Sequence, residues 1–323
     1  MKAAVLRSAE GVPEWAEFAE PELAPGEQLV ELVAAGIHRV VRSLAHNRHY
    51  GSTGAYPMIP GLDAVARTSE GKLVYTGYVT EPYGTMAERM AVRSKFVFEL
   101  PPGLEDAAQR VAGGVNPGLS SWLPLKSRLA ETAELGTVVV VGATGASGLL
   151  AVQNAKRLGA EHVVALGRNE AALEQAAGYG ARPVRLGADK EATATSVATA
   201  LDGREPSLVL DYLWGPPAEA MFAALGRRGL AEDTADIAYV QIGSLAGGEA
   251  ALPSTLLRSR KIRVLGSGAG STGFEFTRAQ LPGYLELLAT GGVETRIEPY
   301  PLSEVAEAWA ATPAPGARVV LKA

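Results

Sequence analysis

The stretch TVVVVGATGASGLLAVQ constrains the fold more than any other part of the chain. A run of β-branched residues leads into three glycines, Gly142, Gly145 and Gly148. A helical pattern follows, with Leu149, Val152, Ala155 and Leu158 near one face. HVVALG then supplies a second buried strand, so the segment reads as the start of a βαβ unit. Glycines at such a turn let the backbone bend tightly and approach a pyrophosphate. The helix N-terminus adds free N–H groups and a partial positive charge. The spacing is GxxGxxG rather than GxGxxG, so the strand–turn–helix setting carries the reading, not the glycines alone.

The alternation continues. EAALEQAAGYG reads as a helix, and SLVLDYL, AYVQIGS and KIRVLGS read as strands, which predicts a parallel sheet with helices on both faces. The first third differs. MKAAVL, EQLVELVAAG, KLVYTGYV and RMAVRSKFVFELP are short strand-like runs separated by Gly and Pro, as in a compact β domain. After Gly270 come a helix at PGYLELLATGG, a strand at IEPYPL, a helix at SEVAEAWAAT and a last strand at ARVVLKA. With 323 residues the chain exceeds what one core usually serves, so two domains are expected.

Cofactor choice is read at the end of the second strand, HVVALGRNE. Arg168 stands where a side chain reading the ribose 2′ position belongs, and Asn169 can donate beside it. A guanidinium fork matches phosphate oxygens, so the expected cofactor is NADPH. The competing reading is a solvated arginine paired with Glu170.

Other chemistries are narrowed by what the chain lacks. It has no cysteine, which excludes disulfides, thiolate-bound zinc, iron–sulfur clusters and thiol nucleophiles. Net charge is −5 with no basic stripe, so nucleic acid is not an expected partner. No apolar run reaches membrane-spanning length, and MKAAVLRSAEGVPEW holds no signal-peptide core; the expected location is cytoplasmic. No Gly-x-Ser-x-Gly elbow is present, and none of the 10 tyrosines has a lysine four residues on.

Three of the four histidines, His38, His46 and His49, lie in AAGIHRVVRSLAHNRHYG, residues 34–51. His46 and His49 could face one way, but the sequence places no third ligand. A catalytic zinc takes three protein ligands and an open position. The expectation is no metal, with these histidines and arginines lining a cleft or its rim.

VVVVGATGASG, PYGTMAERMAVRSKFVFELPPGL, NPGLSSWLPL and the closing GARVVLKA together resemble the medium-chain dehydrogenase/reductase superfamily, and within it the zinc-independent quinone oxidoreductases. The resemblance covers nearly the whole chain. It implies an α/β protein with a β-rich GroES-like substrate domain over residues 1–118. A Rossmann domain, a doubly wound parallel sheet, follows over 119–268, and residues 269–323 return to the first domain. Zinc-dependent members carry a Cys near the position of His38 and a Gly-His-Glu where this chain has GLD. Leu62 thus stands in place of a ligating His and Asp63 in place of the Glu.

The resemblance also implies roles. Gly142, Thr144, Gly145, Ala146, Ser147 and Gly148 would cradle the pyrophosphate. Tyr50 is the best candidate to hydrogen-bond a substrate carbonyl, and His38 could do the same. A packed aromatic with its hydroxyl in water is the plain alternative for Tyr50. Val41 replaces an Asp common among relatives. Asn116 and a turn over residues 118–122 would approach the nicotinamide. Ile242, Gly243 and Ser244 would face its amide, and Gly266, Ser267 and Gly268 would close the outer end of the cofactor cleft. Asp211 would cap a strand end, and Trp214 would pack. The activity implied is NADPH-dependent hydride transfer to a quinone, enone or similar activated carbonyl, a small-molecule partner. A homodimer through KIRVLGS is implied as well. Two other readings are a non-catalytic NADPH-binding redox sensor and a reductase of an enoyl thioester or biosynthetic intermediate.

Overall fold

A computed structural model describes residues 1–187 and 189–323 and divides them into two units, Met1–Pro117 with Leu281–Ala323, and Gly118–Gln280. The first unit carries β1 (Lys2–Val5), β2 (Glu14–Glu17), β3 (Glu27–Gly36), α1 (Arg39–Ala45), β4 (Asp63–Thr68), β5 (Leu73–Gly77), β6 (Arg89–Arg93) and β7 (Phe98–Glu99). α2 (Ala108–Thr132) begins in this unit. In the second unit follow β8 (Thr137–Val141), α3 (Ala146–Arg157), β9 (His162–Gly167), α4 (Glu170–Gly178), β10 (Arg182–Arg185), α5 (Lys190–Leu201), β11 (Pro206–Asp211), α6 (Gly215–Ala224), β12 (Ile237–Gln241), α7 (Ser254–Ser259) and β13 (Ile262–Gly266). α8 (Phe274–Ala289), β14 (Arg296–Pro301), α9 (Val305–Ala310) and β15 (Ala317–Lys322) complete the chain.

In the first unit the strand order is β14-β15-β3-β4-β5-β7, with β6 also pairing β3 and a separate β1–β2 ribbon. β3 is the hub. It runs antiparallel to β4, β6 and β15, and its second half is nearly all buried. Val30, Leu32, Met86, Met90, Trp309 and Leu321 share the core. Alternate residues of each strand point to opposite faces, so Asp63 and Val65 share a side of β4. Tyr75, which pairs Val65, faces that same side.

The second unit is a six-stranded parallel sheet of order β10-β9-β8-β11-β12-β13. Helices cover both faces, so β8 reads TVVVV and is wholly buried rather than alternating. Val138 and Val140 enter one apolar cluster, with Leu149 and Val152. Val139 and Val141 enter the other, with Met221 and Phe222. The chain winds outward from β8 to β10, then crosses back to β11. The C-terminal ends of β8 and β11 therefore flank the point where such sheets take ligands.

The alternation read from the sequence is present. Three strands were not foreseen: β2, β4 and β10 are short or mixed in polarity. The turn expected at residues 118–122 is a correction, since that segment lies inside α2. No helix among the described residues is long and apolar enough to cross a membrane.

Candidate active site

The glycine loop is tied to the neighbouring strand. Gly142 has φ +94°, and the N–H groups of Gly142 and Ala143 both donate to Leu166 O, at 3.0 and 2.8 Å. A Cβ on Gly148 would overlap Gly142 O and stand 2.6 Å from Ala143 Cα, so the close approach of α3 to the loop requires glycine. Gly145 is the N-cap of α3, and a Cβ there would meet nothing within 4 Å. The first-turn N–H groups of Ala146, Ser147 and Gly148 have no carbonyl ahead of them in the helix. Open space, free donors and a helix dipole are what a pyrophosphate needs. Thr144 presses against Gly167, where a Cβ would be 3.0 Å from the Thr144 hydroxyl, and so joins the loop to the end of β9.

Arg168 follows β9 directly. It is exposed, and among the described residues it has no ion pair. Glu170, the partner the sequence offered it, is bound instead by Arg185 at 2.6 Å. Asn169 caps α4, its Oδ1 accepting from Ala172 N at 2.9 Å, which leaves its amide donors for other use.

Asp211 organises the far side of the switch point. It is fully buried at the end of β11. Its Oδ1 accepts from Leu213 N at 2.8 Å and Trp214 N at 3.0 Å, and its Oδ2 accepts from the Tyr239 hydroxyl at 2.6 Å. Its backbone oxygen accepts from Ile242 N and Gly243 N, at 2.7 and 3.1 Å. One residue thus fixes two loops. Burial pushes its carboxyl above the ordinary range, against the Tyr239, Trp214 and Leu213 bonds that lower it. Trp214 packs edge-on to Phe222 and Tyr239, as expected. A Cβ on Gly243 would lie 2.7 Å from Tyr212 O. Ser267 N donates to Gln241 O at 2.8 Å, and Gly268 N donates to the Ser271 hydroxyl at 2.9 Å, which sets residues 266–268 beside the end of β12.

Sequence reasoning missed a buried polar set behind this loop. The hydroxyls of Tyr212 and Ser120 lie 3.0 Å apart, and burial pushes the Tyr212 phenol up to about 12. Asn154 Nδ2 donates to Gly118 O and to the Ser121 hydroxyl, at 3.2 and 3.0 Å. A polar Asn amid the apolar pattern of α3 was the available signal.

In the first unit the histidines separate. His38 is buried, with Nε2 3.3 Å from Asp63 Oδ1, and neither ring nitrogen makes a hydrogen bond among the described residues. Tyr75 donates to Asp63 Oδ2 at 2.8 Å, and the Thr85 hydroxyl donates to Asp63 O at 3.0 Å. Burial first, then the Asp63 charge, raises the phenols of Tyr75 and Tyr78. His46 is used internally: Nδ1 faces Ala9 O at 2.6 Å and Nε2 accepts from Trp309 Nε1 at 3.4 Å. His49 accepts from Gly51 N at 3.1 Å, and burial lowers its pKa. Tyr50 does not join His38. It is 76% exposed, and its ring centroid lies 4.0 Å from that of His49. Asn116 is half-buried within α2. Among the described residues no three His, Cys, Asp or Glu side chains gather as a metal site.

The glycine loop, Arg168 with Asn169, and residues 242–244 and 266–268 therefore share the C-terminal ends of neighbouring strands. The chain matches no protein-family model. It is 32% identical over 348 aligned positions to a probable NADPH-dependent quinone reductase, tdiC, of Emericella nidulans, with 96% of each chain covered. Its fold is that of the quinone oxidoreductase from Thermus thermophilus, solved also with NADPH (23% identity, TM-score 0.72, all of both chains). A mycobacterial quinone oxidoreductase matches with 19% identity and a TM-score of 0.81, again over both whole chains. An alcohol dehydrogenase superfamily protein from Novosphingobium aromaticivorans matches over 100% of this chain and 99% of its own, with 23% identity and a TM-score of 0.77. The chain belongs to the medium-chain dehydrogenase/reductase superfamily, among its quinone oxidoreductase-like members.

Proposed function

We propose that the chain is an NADPH-dependent reductase that passes hydride to a quinone, enone or similar activated carbonyl without a metal. The observation that carries this reading is Arg168, exposed and without an acid partner among the described residues, beside a glycine loop with open space at Gly145. The Emericella nidulans relative, named for NADPH and quinone, supports the same reading.

When bound, NADPH supplies the hydride. The chain's own residues bind and orient. Gly142, Thr144, Gly145, Ala146, Ser147 and Gly148 cradle the pyrophosphate, and Arg168 with Asn169 reads the 2′-phosphate. Ile242, Gly243, Ser244, Gly266, Ser267 and Gly268 form the walls at the strand ends. Tyr50 is the exposed polar group offered to the acceptor, with the buried His38 and the half-buried Asn116 as the other candidates. In a quinone or enone the accepting carbon is already activated, and charge grows on a remote oxygen that a neutral donor can stabilise. Leu62 brings no ligand where zinc-dependent relatives have a His, and the chain has no cysteine, so the donor set does not suit a catalytic zinc. β13 is the edge strand of its sheet with Leu265 exposed, which supports a homodimer formed through it.

The test is NADPH consumption by chelator-treated protein with a benzoquinone, a cyclic enone, an enoyl thioester and a simple ketone. Turnover of a quinone or enone is expected. NADPH binding without turnover of any acceptor would replace this reading with a redox sensor or a reductase of a specialised biosynthetic intermediate.

A further inference from the structure

Three arginines of the first unit act on one another, and among the described residues no carboxylate forms an ion pair with any of them. Arg39 and Arg42 stand three residues apart on α1, hence on one face. β15 brings the third. Leu321 pairs Ala35, Val320 pairs Gly36, and Ile37 N donates to Val319 O at 2.9 Å, so Arg318 lies across from His38, beside the start of α1. α2 approaches β15 at Gly113, where a Cβ would stand 3.8 Å from Arg318 Cβ, and this covers the arginine's stem. Arg318 Nε is buried and has no hydrogen-bond partner among the described residues, while part of the residue reaches solvent.

The charges there do not balance. Some arginines find acids, as Arg89 does with Glu20, Arg128 with Asp236, Arg185 with Glu170 and Arg260 with Asp233, and others, such as Arg110 and Arg182, donate to backbone carbonyls. Among the described residues Arg39, Arg42 and Arg318 form no ion pair, although the chain has 35 acidic against 30 basic side chains. Arg42 leans on Trp309, donating to its carbonyl and lying 5.1 Å over its ring. The carboxylate acting on Arg318 is Asp63, already bonded to Tyr75 and beside His38. Burial, with Arg39 next, pulls Arg318 down to about 10, Asp63 opposing and Arg42 adding to the fall. Like charges held together in a partly dry setting repel, and an added oxyanion offsets that repulsion.

We propose that Arg39, Arg42 and Arg318 form an oxyanion-binding site in the first unit, and that its ligand is a carboxylate carried by the acceptor substrate. A planar carboxylate fits the fork of a guanidinium, and the exposed Arg39 can present one to it. The oxyanion site stands on the residues alone; its assignment to the acceptor rests on the reductase reading.

The experiment titrates the full chain calorimetrically with benzoate and, separately, with inorganic phosphate. It is paired with NADPH oxidation using 1,4-benzoquinone and its 2-carboxylate. Benzoate is expected to bind, and to compete with the carboxylated quinone. Arg318→Met and Arg39→Ala should each weaken benzoate about tenfold and raise the KM ratio of carboxylated to uncharged quinone by about the same factor. Arg39 is exposed, so its variant keeps the test intact if Arg318→Met fails to fold. Phosphate binding as tightly as benzoate, with no preference for the carboxylated quinone, would overturn the substrate assignment in favour of a free anion. Absence of binding by the unaltered chain, or binding unchanged in both variants, would overturn the site. If neither quinone turns over while benzoate still binds through Arg39, the reductase reading falls and the oxyanion site is supported.

Discussion

Glu170 turns to Arg185 across 2.6 Å and leaves Arg168, two residues before it, without an ion pair among the described residues. Both partners of that pair are mostly exposed, so the pair itself contributes little to stability. Its consequence is for the neighbour. A guanidinium with no ion pair among the described residues at the end of β9 is what the proposed contact with the 2′-phosphate requires.

Arg168→Ala should therefore weaken NADPH by about 10- to 100-fold, the value of one or two charge-assisted hydrogen bonds, and leave NADH nearly unchanged. Titration of the two cofactors followed by nicotinamide fluorescence makes the comparison. An equal loss for both would show that Arg168 reads no phosphate.

Two glycines of the same loop should behave in opposite ways. A Cβ at Gly148 would meet the backbone of Gly142 and Ala143, so Gly148→Ala should cost about 1–3 kcal/mol of folding stability by overpacking. A Cβ at Gly145 meets nothing within 4 Å. Gly145→Ala should leave the urea midpoint almost unmoved and, if the proposed cradle holds the pyrophosphate, weaken NADPH, because the methyl would take that space. Unfolding curves and cofactor titrations on the two variants separate the cases.

His46 should prove structural. Its two nitrogens face Ala9 O and Trp309 Nε1, so His46→Ala should cost about 1–2 kcal/mol, with the NADPH dissociation constant unchanged. Chelator treatment should leave turnover of the unaltered chain as it was. Restoration of lost activity by added zinc would point to a ligand set that these residues do not form.

Tyr50 offers an exposed hydroxyl on a ring that rests against His49. If that hydroxyl meets the developing oxyanion, Tyr50→Phe lowers kcat/KM about tenfold or more without changing thermal stability. Identical kinetics in the variant would remove Tyr50 from the site.

What could be read in the sequence followed from local pattern. TVVVV before a glycine turn and ASGLLAVQNAKR after it announced β8 and α3, because buried parallel strands and packed helices repeat apolar residues at fixed periods. β10, RPVR, has one buried residue and a proline, and so carries no such period. The resemblance implied a turn at residues 118–122, yet tertiary packing keeps them helical within α2 despite Pro117 and Gly118. The contact of His38 with Asp63 joins residues 25 positions apart through the antiparallel pairing of β3 with β4, across a connection that contains α1. No local rule foresees that contact. Nor could any rule foresee that Arg185, from the next strand, would take Glu170.

The pH dependence of stability should carry the mark of Asp211. Its folded carboxyl titrates above the ordinary range, chiefly through burial, while the Tyr239, Trp214 and Leu213 bonds hold it down. A carboxyl whose folded pKa exceeds its unfolded one binds more protons when folded. Its contribution is most favourable below the unfolded value and declines as pH rises through the interval between the two. Tyr239→Phe removes the 2.6 Å bond to Oδ2 and lifts the folded pKa further, so that interval extends upward. The variant should lose about 1–3 kcal/mol near neutral pH and clearly less at about pH 4, where the carboxyl is more often protonated. Urea unfolding at the two pH values gives both numbers, and a loss of the same size at each would mean that the Tyr239 hydroxyl does not serve the ionised form of Asp211.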